Sequence, residues 1–389
     1  MKIVIVGAGK VGVALTRHLA VENRVTVIDQ NPHLVENIIN IYDVMGVCGN
    51  GASYDVQKEA DVEQADLLIA TTSSDEINIL TCLVAKKMGV QHTIARIRSP
   101  EYGRQLRFMR SELGLSMAIN PEAATAREIA RVLRFPTAMK LESFSKGRLE
   151  LVEYRVAEHT ALDGTRLSEL YRNFKVRVLI CAVARQGETI IPSGDFTLRA
   201  GDKIYLTAAP RELEKFFRLL GVFRARASSV MIVGASKMCY YLASELLEMG
   251  MSVKIIDQNE QRCVEMSEKL PRALVIVGDG TDSELLSEEG ISQTDAFVAI
   301  TGLDEANILM ALSAAKQSGD CCKVVAKINR KSLLELVSTE SLIDSVVSTG
   351  AVTTELILQY IRAMKNASAS KVKTLHRIVD EKVEALEFS

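Results

Sequence analysis

The sequence predicts an α/β protein in which a doubly wound parallel-sheet domain occurs twice, with a small α+β lobe between the copies. Three observations predict it. The first is an internal repeat: KIVIVGAGKVGVAL leads to Asp29 in one copy, and SVMIVGASKMCYYL leads to Asp257 in the other. The offset barely drifts, from 227 for Gly7 and Gly234 to 228 for Asp29 and Asp257 and 229 for Gly51 and Gly280, Asp75 and Asp304, and Asn78 and Asn307. ATTSSDEINIL thus returns as AITGLDEANIL, a register that means duplication of a whole domain. The second observation is the alternation of short β-branched runs with amphipathic stretches of about 10 to 15 residues, the pattern of βαβ units. The third is that these runs are apolar throughout, so the strands must be covered on both faces, as parallel sheets are.

Each element of the first copy follows from this pattern. Ile3 to Val6, Arg24 to Ile28, Val44 to Cys48, Leu67 to Ala70 and His92 to Ile97 read as strands. A last helix begins at Pro121, where a missing N–H is tolerated, and ends before Pro136. Beyond it the texture changes: LELVEYRV, VRVLICAVAR and KIYLTAA alternate as strands, and the Gly194-Asp195 and Gly201-Asp202 turns flank Phe196 and Leu198. A short basic linker, Gly221 to Ser229, leads into the second copy. Near the end, EKVEALEF resembles the GRLELVEY that opens the small lobe, so a second lobe is expected to begin there without being completed. The expected domains are 1–136, 137–221, 229–365 and the incomplete 366–389.

Composition narrows the function classes. The chain has 389 residues, enough for two to four domains, and 48% hydrophobic with 25% charged residues is ordinary globular material. A net charge of −2 offers no basic field for nucleic acid or an acidic membrane surface. No apolar run approaches the roughly 18 residues of a membrane span, and Ile3 to Val6 is too short for a signal peptide, so a cytoplasmic location is expected. The seven cysteines are scattered and odd in number, which argues for reduced thiols rather than a disulfide framework. Cys321 and Cys322 lack the C-x-x-C spacing of a redox or zinc site, and the five histidines are dispersed, so no metal or nucleophile site is expected.

The strongest chemical signal is Gly7-x-Gly9-x-x-Gly12, directly after a strand and opening a helix, with Asp29 ending the next strand 22 residues on. Gly7 permits the tight turn, Gly9 lets backbone approach a pyrophosphate, and Gly12 lets the helix pack close to the sheet. The helix N-terminus, with Ala8, Lys10 and Val11, would then offer N–H groups and a positive dipole to the anion. Asp29 would accept from a ribose diol and repel a 2′-phosphate, so NAD(H) or an adenine nucleotide, ATP or ADP, is expected rather than NADP(H). Thr71 to Ser74 follow the fourth strand, at the edge where open α/β sheets bind ligands, and Arg96 and Arg98 close the fifth on the same edge. Lys10, Arg96 and Arg98 also have a plainer reading as solvated, salt-bridging side chains. The second copy keeps Gly234 and Asp257 but has Ser236 and Cys239 for the second and third glycines. A Cβ at Ser236 would push a pyrophosphate away and Cys239 would hold the helix off the sheet, so binding there should be weaker, altered or absent.

GAGKVG, Asp29, CGNGAS, ATTSSDEINIL, ARIRSPEY and PSGDFTLRAGDKIYL together resemble the TrkA family, over nearly the whole chain. Its members are cytosolic nucleotide-binding subunits of Trk potassium-uptake systems, built from tandem RCK modules, each a Rossmann-like N-domain with a C-terminal lobe. The resemblance implies a ligand-responsive ring, a homotetramer, docked on an integral membrane potassium channel subunit of the TrkH or TrkG kind. It implies that Gly7 to Val11 hold the pyrophosphate, Asp29 the ribose, Thr72 and Ser73 the far side of the nucleotide, and Arg96 a phosphate. Related regulators carry Arg at the Lys10 position, and Asn50 stands where the family often has Asp, so both contacts are altered here. The mechanism expected is a population shift driven by differential affinity, not catalysis. The rival reading, an NAD-dependent oxidoreductase, lacks a His or Lys where a proton donor is needed, and a stand-alone nucleotide sensor remains a third reading.

Overall fold

The computed structural model describes residues 1–102, 113–134, 140–144, 148–221, 227–318, 322–337, 343–367, 372–378 and 383–388. The ARIRSPEY segment lies within them, whereas Pro136 and Cys321 lie outside. The first parallel sheet contains β1 (Lys2–Val6), β2 (Arg24–Asp29), β3 (Met45–Cys48), β4 (Leu67–Ala70), β5 (His92–Arg96) and β6 (Met117–Ile119). Their order is β3-β2-β1-β4-β5-β6, so the chain reverses direction across the sheet between β1 and β4. Such a reversal leaves a crevice at the carboxyl ends of those two strands. Register aligns the ends: Val6 faces Ile28 on one side and Ala70 on the other, and Asp29 faces Cys48. The sixth strand, too short and weakly patterned to read from sequence, completes the edge beyond β5.

The helices of this copy are α1 (Lys10–Leu19), α2 (Pro32–Ile41), α3 (Tyr54–Glu59), α4 (Asp75–Lys87) and α5 (Pro121–Arg134). Their starts are written in side chains. Asn31 accepts from the His33 N–H before Pro32 opens α2, and Ser74 accepts from the Ile77 N–H at α4. Asp75 and Glu76 open α4 and Lys86 and Lys87 close it, matching its dipole. Ile3, Val4 and Ile5 of β1 and Leu67, Leu68 and Ile69 of β4 are fully buried, the two-sided burial that the apolar runs predict.

An antiparallel sheet follows, ordered β10-β9-β11-β8-β7, from β7 (Lys140–Phe144), β8 (Leu149–Arg155), β9 (Leu179–Arg185), β10 (Glu188–Ile190) and β11 (Lys203–Ala208), with helices α6 (Leu170–Phe174) and α7 (Pro210–Leu219). Its core packs Phe174, Phe216 and Phe217 edge-on with ring centroids 5.4 and 5.5 Å apart. Buried Asp202 of the second Gly-Asp turn accepts two 2.7 Å bonds from Arg185, which lies over the Phe196 ring. The opposite face of the sheet carries Leu151, Ala182 and Tyr205, with Val383 packed against it. Val383 opens β19 (Val383–Phe388), which pairs antiparallel with β18 (Val372–Ile378).

The second copy repeats the first. Strands β12 (Ser229–Val233), β13 (Ser252–Asp257), β14 (Leu274–Val277), β15 (Ala296–Ala299), β16 (Lys323–Lys327) and β17 (Ser345–Val347) take the order β14-β13-β12-β15-β16-β17. Its helices are α8 (Lys237–Glu248), α9 (Glu260–Lys269), α10 (Ser283–Glu288), α11 (Asp304–Ser318), α12 (Lys331–Val337) and α13 (Thr349–Ala367). The fold is therefore two Rossmann-like parallel-sheet domains with an antiparallel α+β lobe between them in sequence. By packing, Met1–Ala126 with Val347–Ile357 forms one compact unit, and Arg127–Val346 with Leu358–Ser389 the other.

Candidate functional site

The three glycines of the first turn answer to different demands. Gly7 has φ +104°, and a Cβ there would lie 2.9 Å from the Thr71 carbonyl carbon and the Thr72 nitrogen, so both conformation and space require glycine. At Gly12 a Cβ would collide with the Gly7 carbonyl oxygen. At Gly9 the backbone has an ordinary φ of −74°, and a Cβ would meet nothing within 4 Å. Among the described residues nothing needs glycine at that position, which opens α1 with no side chain capping it. The first-turn N–H groups of α1 thus lack a side-chain acceptor, next to an empty space that a side chain would have filled.

Asp29 ties this turn to the next strand. Its Oδ2 accepts from the Ala8 N–H at 2.6 Å and its Oδ1 from the Asn31 N–H at 2.8 Å. Each oxygen keeps a lone pair for a further donor such as a ribose hydroxyl. Asn50 is exposed on the loop after β3, where its side-chain oxygen accepts from the Ala52 N–H and its carbonyl from the Ser53 N–H. Lys10 is exposed at the first position of α1, and Val11, partly exposed, follows it.

Across the crevice, fully buried Asn78 of α4 organises the loop after β4. Its side-chain oxygen accepts from the Thr72 N–H (2.8 Å) and hydroxyl (2.7 Å), while its amide donates to the Arg96 carbonyl at 2.9 Å. Asp75 accepts from the Arg98 and Ser99 N–H groups, holding the segment after β5. Ser73, exposed, presents its carbonyl to the Arg98 guanidinium. Arg96 donates from Nη1 to the Thr72 carbonyl at 3.2 Å, while its Nε is buried with no hydrogen-bond partner among the described residues. Burial lowers the Arg96 pKa, opposed by the nearby Glu122 carboxylate, whose Oε2 is likewise buried without a partner. A half-buried guanidinium with an orphan donor is poised for an anionic acceptor.

The fold therefore brings Gly7 to Gly12, Asp29, Asn50, Thr72, Ser73 and Arg96 to the carboxyl ends of β1 to β5. Sequence reasoning noted Asp75 and Asn78 only as matched repeat positions; their survival in both copies was the signal that they brace the site. Glu122 gave no such signal. Among the described residues no three His, Cys, Asp or Glu side chains are grouped to hold a metal ion.

The second copy keeps the braces and loses the cradle. Gly234 has φ +112°, Asp257 accepts from the Ala235 and Asn259 N–H groups, and Asn307 repeats every bond of Asn78 to Thr301 and to the residue-327 carbonyl. Ser236, however, turns its hydroxyl onto its own helix, accepting from the Cys239 N–H at 3.4 Å, and its N–H donates to the Gly234 carbonyl. The donor that an anion would need is already engaged. Cys239 is fully buried, and that burial pushes its thiol far above its ordinary pKa. Lys327 replaces Arg96 and reaches the Ile300 carbonyl at 3.4 Å.

The TrkA-N domain family matches residues 3–121 and again 230–349, and the TrkA-C domain family matches 151–221. A Trk system potassium uptake protein TrkA from Vibrio alginolyticus is 34% identical over 391 residues, covering 99% of this chain and 84% of that protein. A TrkA homolog from Archaeoglobus fulgidus is 32% identical over 374 residues, covering 96% and 84%. Among solved structures, the GsuK RCK domain superposes with a TM-score of 0.70 at 20% identity, covering 96% of this chain and 79% of that one. The GsuK channel bound to NAD gives the same TM-score at 21% identity, covering 97% and 66%. At these identities the structures speak to the fold alone.

Proposed function

The chain belongs to the TrkA family, a family of transport regulators and not of enzymes, and from that premise we propose that it is a nucleotide-gated regulatory subunit of a membrane potassium-uptake system. The observation that carries the reading is the first glycine turn: a helix N-terminus without a side-chain cap beside an open space at Gly9, flanked by Asp29, with Arg96 and its unsatisfied Nε at the end of β5 on the same sheet edge. These groups match the parts of an adenine nucleotide or dinucleotide. Backbone N–H groups from Gly9 to Val11 meet the pyrophosphate, Asp29 a ribose diol, Asn50 the adenosine half, and Arg96 with Thr72 and Ser73 the far phosphate or nicotinamide side. NAD(H), ATP and ADP all fit this description.

The binding unit is residues 1–136, followed by a C-terminal lobe at 137–221, a second N-domain at 229–365 whose Gly234, Ser236 and Asp257 form a degenerate site, and the opening of a second lobe at 366–389. No helix among the described residues is long and apolar enough to cross a membrane. In this reading the chain works at the cytoplasmic face, as a tetrameric ring under a TrkH- or TrkG-like subunit. A ligand shifts the ring only by its differential affinity for two arrangements, so ATP and ADP bind similarly and act oppositely where the terminal phosphate reaches Arg96 in one arrangement alone.

Calorimetric titration of the purified chain with ATP, ADP, NAD and NADH, with the ligands checked afterwards for chemical change, tests the first half. Binding near one per chain with unaltered ligand is expected; no binding of any of the four overturns it. Potassium flux through the reconstituted complex tests the second half: Arg96→Ala is expected to abolish any difference between ATP and ADP.

A further inference from the structure

The duplication supplies its own comparison, and one buried position breaks the match. Gln57 in α3 is fully buried, and its Nε2 donates to the Gly51 carbonyl at 2.7 Å and to the Thr81 carbonyl of α4 at 3.0 Å. Its Oε1 and the Thr81 hydroxyl are buried with no hydrogen-bond partner among the described residues. In the second copy, at the constant offset of 229, the same two positions are Leu286 and Met310, both buried in an apolar core. An aliphatic pair thus closes this part of the fold without difficulty. An amide with an orphan acceptor is a destabilising choice that packing does not require.

The amide can do one thing that leucine cannot: it holds the Gly51 carbonyl. Gly51 lies hard against the last residue of β1, since a Cβ there would collide with the Val6 side chain. Val6 directly precedes Gly7, and Asn50 directly precedes Gly51. Gln57 therefore grips, from inside the protein, the loop after β3 where it packs against the end of β1, next to the glycine turn. In the copy whose cradle is open the grip is present, and in the copy whose cradle is self-capped by Ser236 it is absent.

We propose that Gln57 is a positioning residue for the nucleotide of the first copy, fixing the Asn50–Gly51 loop against the glycine turn so that both meet one ligand without reordering. This rests on the reading of the first copy as a nucleotide site. Rigid support behind a contact loop raises affinity by lowering the ordering cost of binding. The full chain is compared with Gln57→Leu and with Gln57→Leu/Thr81→Met, which installs the pair the second copy already tolerates.

Amide hydrogen exchange of the ligand-free proteins should be faster at residues 50–53 in both variants. The thermal midpoint of the double variant should stay at or above that of the wild type. Affinity for whichever of NAD, ATP or ADP the wild type binds should fall about tenfold, the worth of one net hydrogen bond. Unchanged affinity with a lowered midpoint would make Gln57 merely structural and overturn the inference, as would unchanged exchange of the loop. A wild type that binds none of the three would overturn the site reading and this inference with it, an outcome distinct from wild-type binding that the variants preserve.

Discussion

Gly9→Ala separates the glycine proposed to face the ligand from the two that the chain itself requires. Gly9 sits at φ −74°, ψ −174°, extended backbone open to any residue, and an added methyl touches no heavy atom within 4 Å. Folding should barely change: restricting the unfolded chain favours Ala by about 0.4–1 kcal/mol, and the poorer helix cap costs a few tenths to about 1 kcal/mol. A pyrophosphate on the α1 N-terminus would meet the methyl where it had met backbone. Losing one or two charge-assisted bonds at about 1.5 kcal/mol each, the low end of their range, weakens binding by about ten- to a hundredfold. Titration with ATP, ADP, NAD and NADH beside thermal unfolding of the ligand-free protein separates the two effects. Gly12→Ala is the contrast, because its Cβ would strike the Gly7 carbonyl and lower ligand-free stability. Wild-type affinity in Gly9→Ala for every ligand the wild type binds would refute the argument that the open space is a phosphate cradle.

Three further outcomes are expected. Asn78→Ala strips the Thr72 loop and the Arg96 carbonyl of their buried partner, and chemical unfolding should record a loss of roughly 3 kcal/mol. Burial alone would raise the pKa of Asp295, but four hydrogen bonds from Ser228 and Ser229 hold it below the ordinary carboxylate range. Its contribution is therefore complete above that range and lost as pH falls through it, so Asp295→Asn should flatten the acid limb of a stability profile measured below about pH 4. Ser236→Gly/Cys239→Gly restores the three-glycine turn in the second copy, and calorimetric stoichiometry should rise from about one ligand per chain toward two; no rise would mean that Lys327 or Ile300, not self-capping, closes that site.

The fold was legible because the duplication and the apolar runs state it twice over. Where the signal was a run of β-branched residues, as in Ile3 to Val6 or Leu67 to Ala70, strand and burial coincide. Where it was three residues of mixed character, as in Met117–Ile119, only the neighbouring strand defines the element, and sequence alone could not find it. The site divides the same way. Asp29 and the glycines belong to a spacing that can be read without coordinates. The orphan Nε of Arg96, its approach to Glu122 and the inward amide of Gln57 depend on which side chains meet after folding, and no linear spacing encodes that.

What diverged between the copies says which part of the domain is scaffold and which is instrument. The turn glycine, the acid ending the second strand, the Asn that braces the fourth-strand loop and the Asp that caps the segment after the fifth strand survive twice with the same partners. Each satisfies backbone groups that would otherwise be stranded at the sheet edge, so each is held by folding whether or not a ligand comes. Gly9, Arg96 and Gln57 differ: Gly9 fronts open space, and Arg96 and Gln57, although each donates to a backbone carbonyl, also carry buried atoms with no partner among the described residues. Their counterparts are Ser236, which caps its helix, Lys327, which reaches a carbonyl, and Leu286, which fills core. A domain relieved of its ligand would be expected to drift toward just such self-satisfied residues, since each removes an open or unpaired feature that only binding could offset. The residues that fold poorly by their own account are thus the ones on which the proposal that the first copy is the ligand site rests.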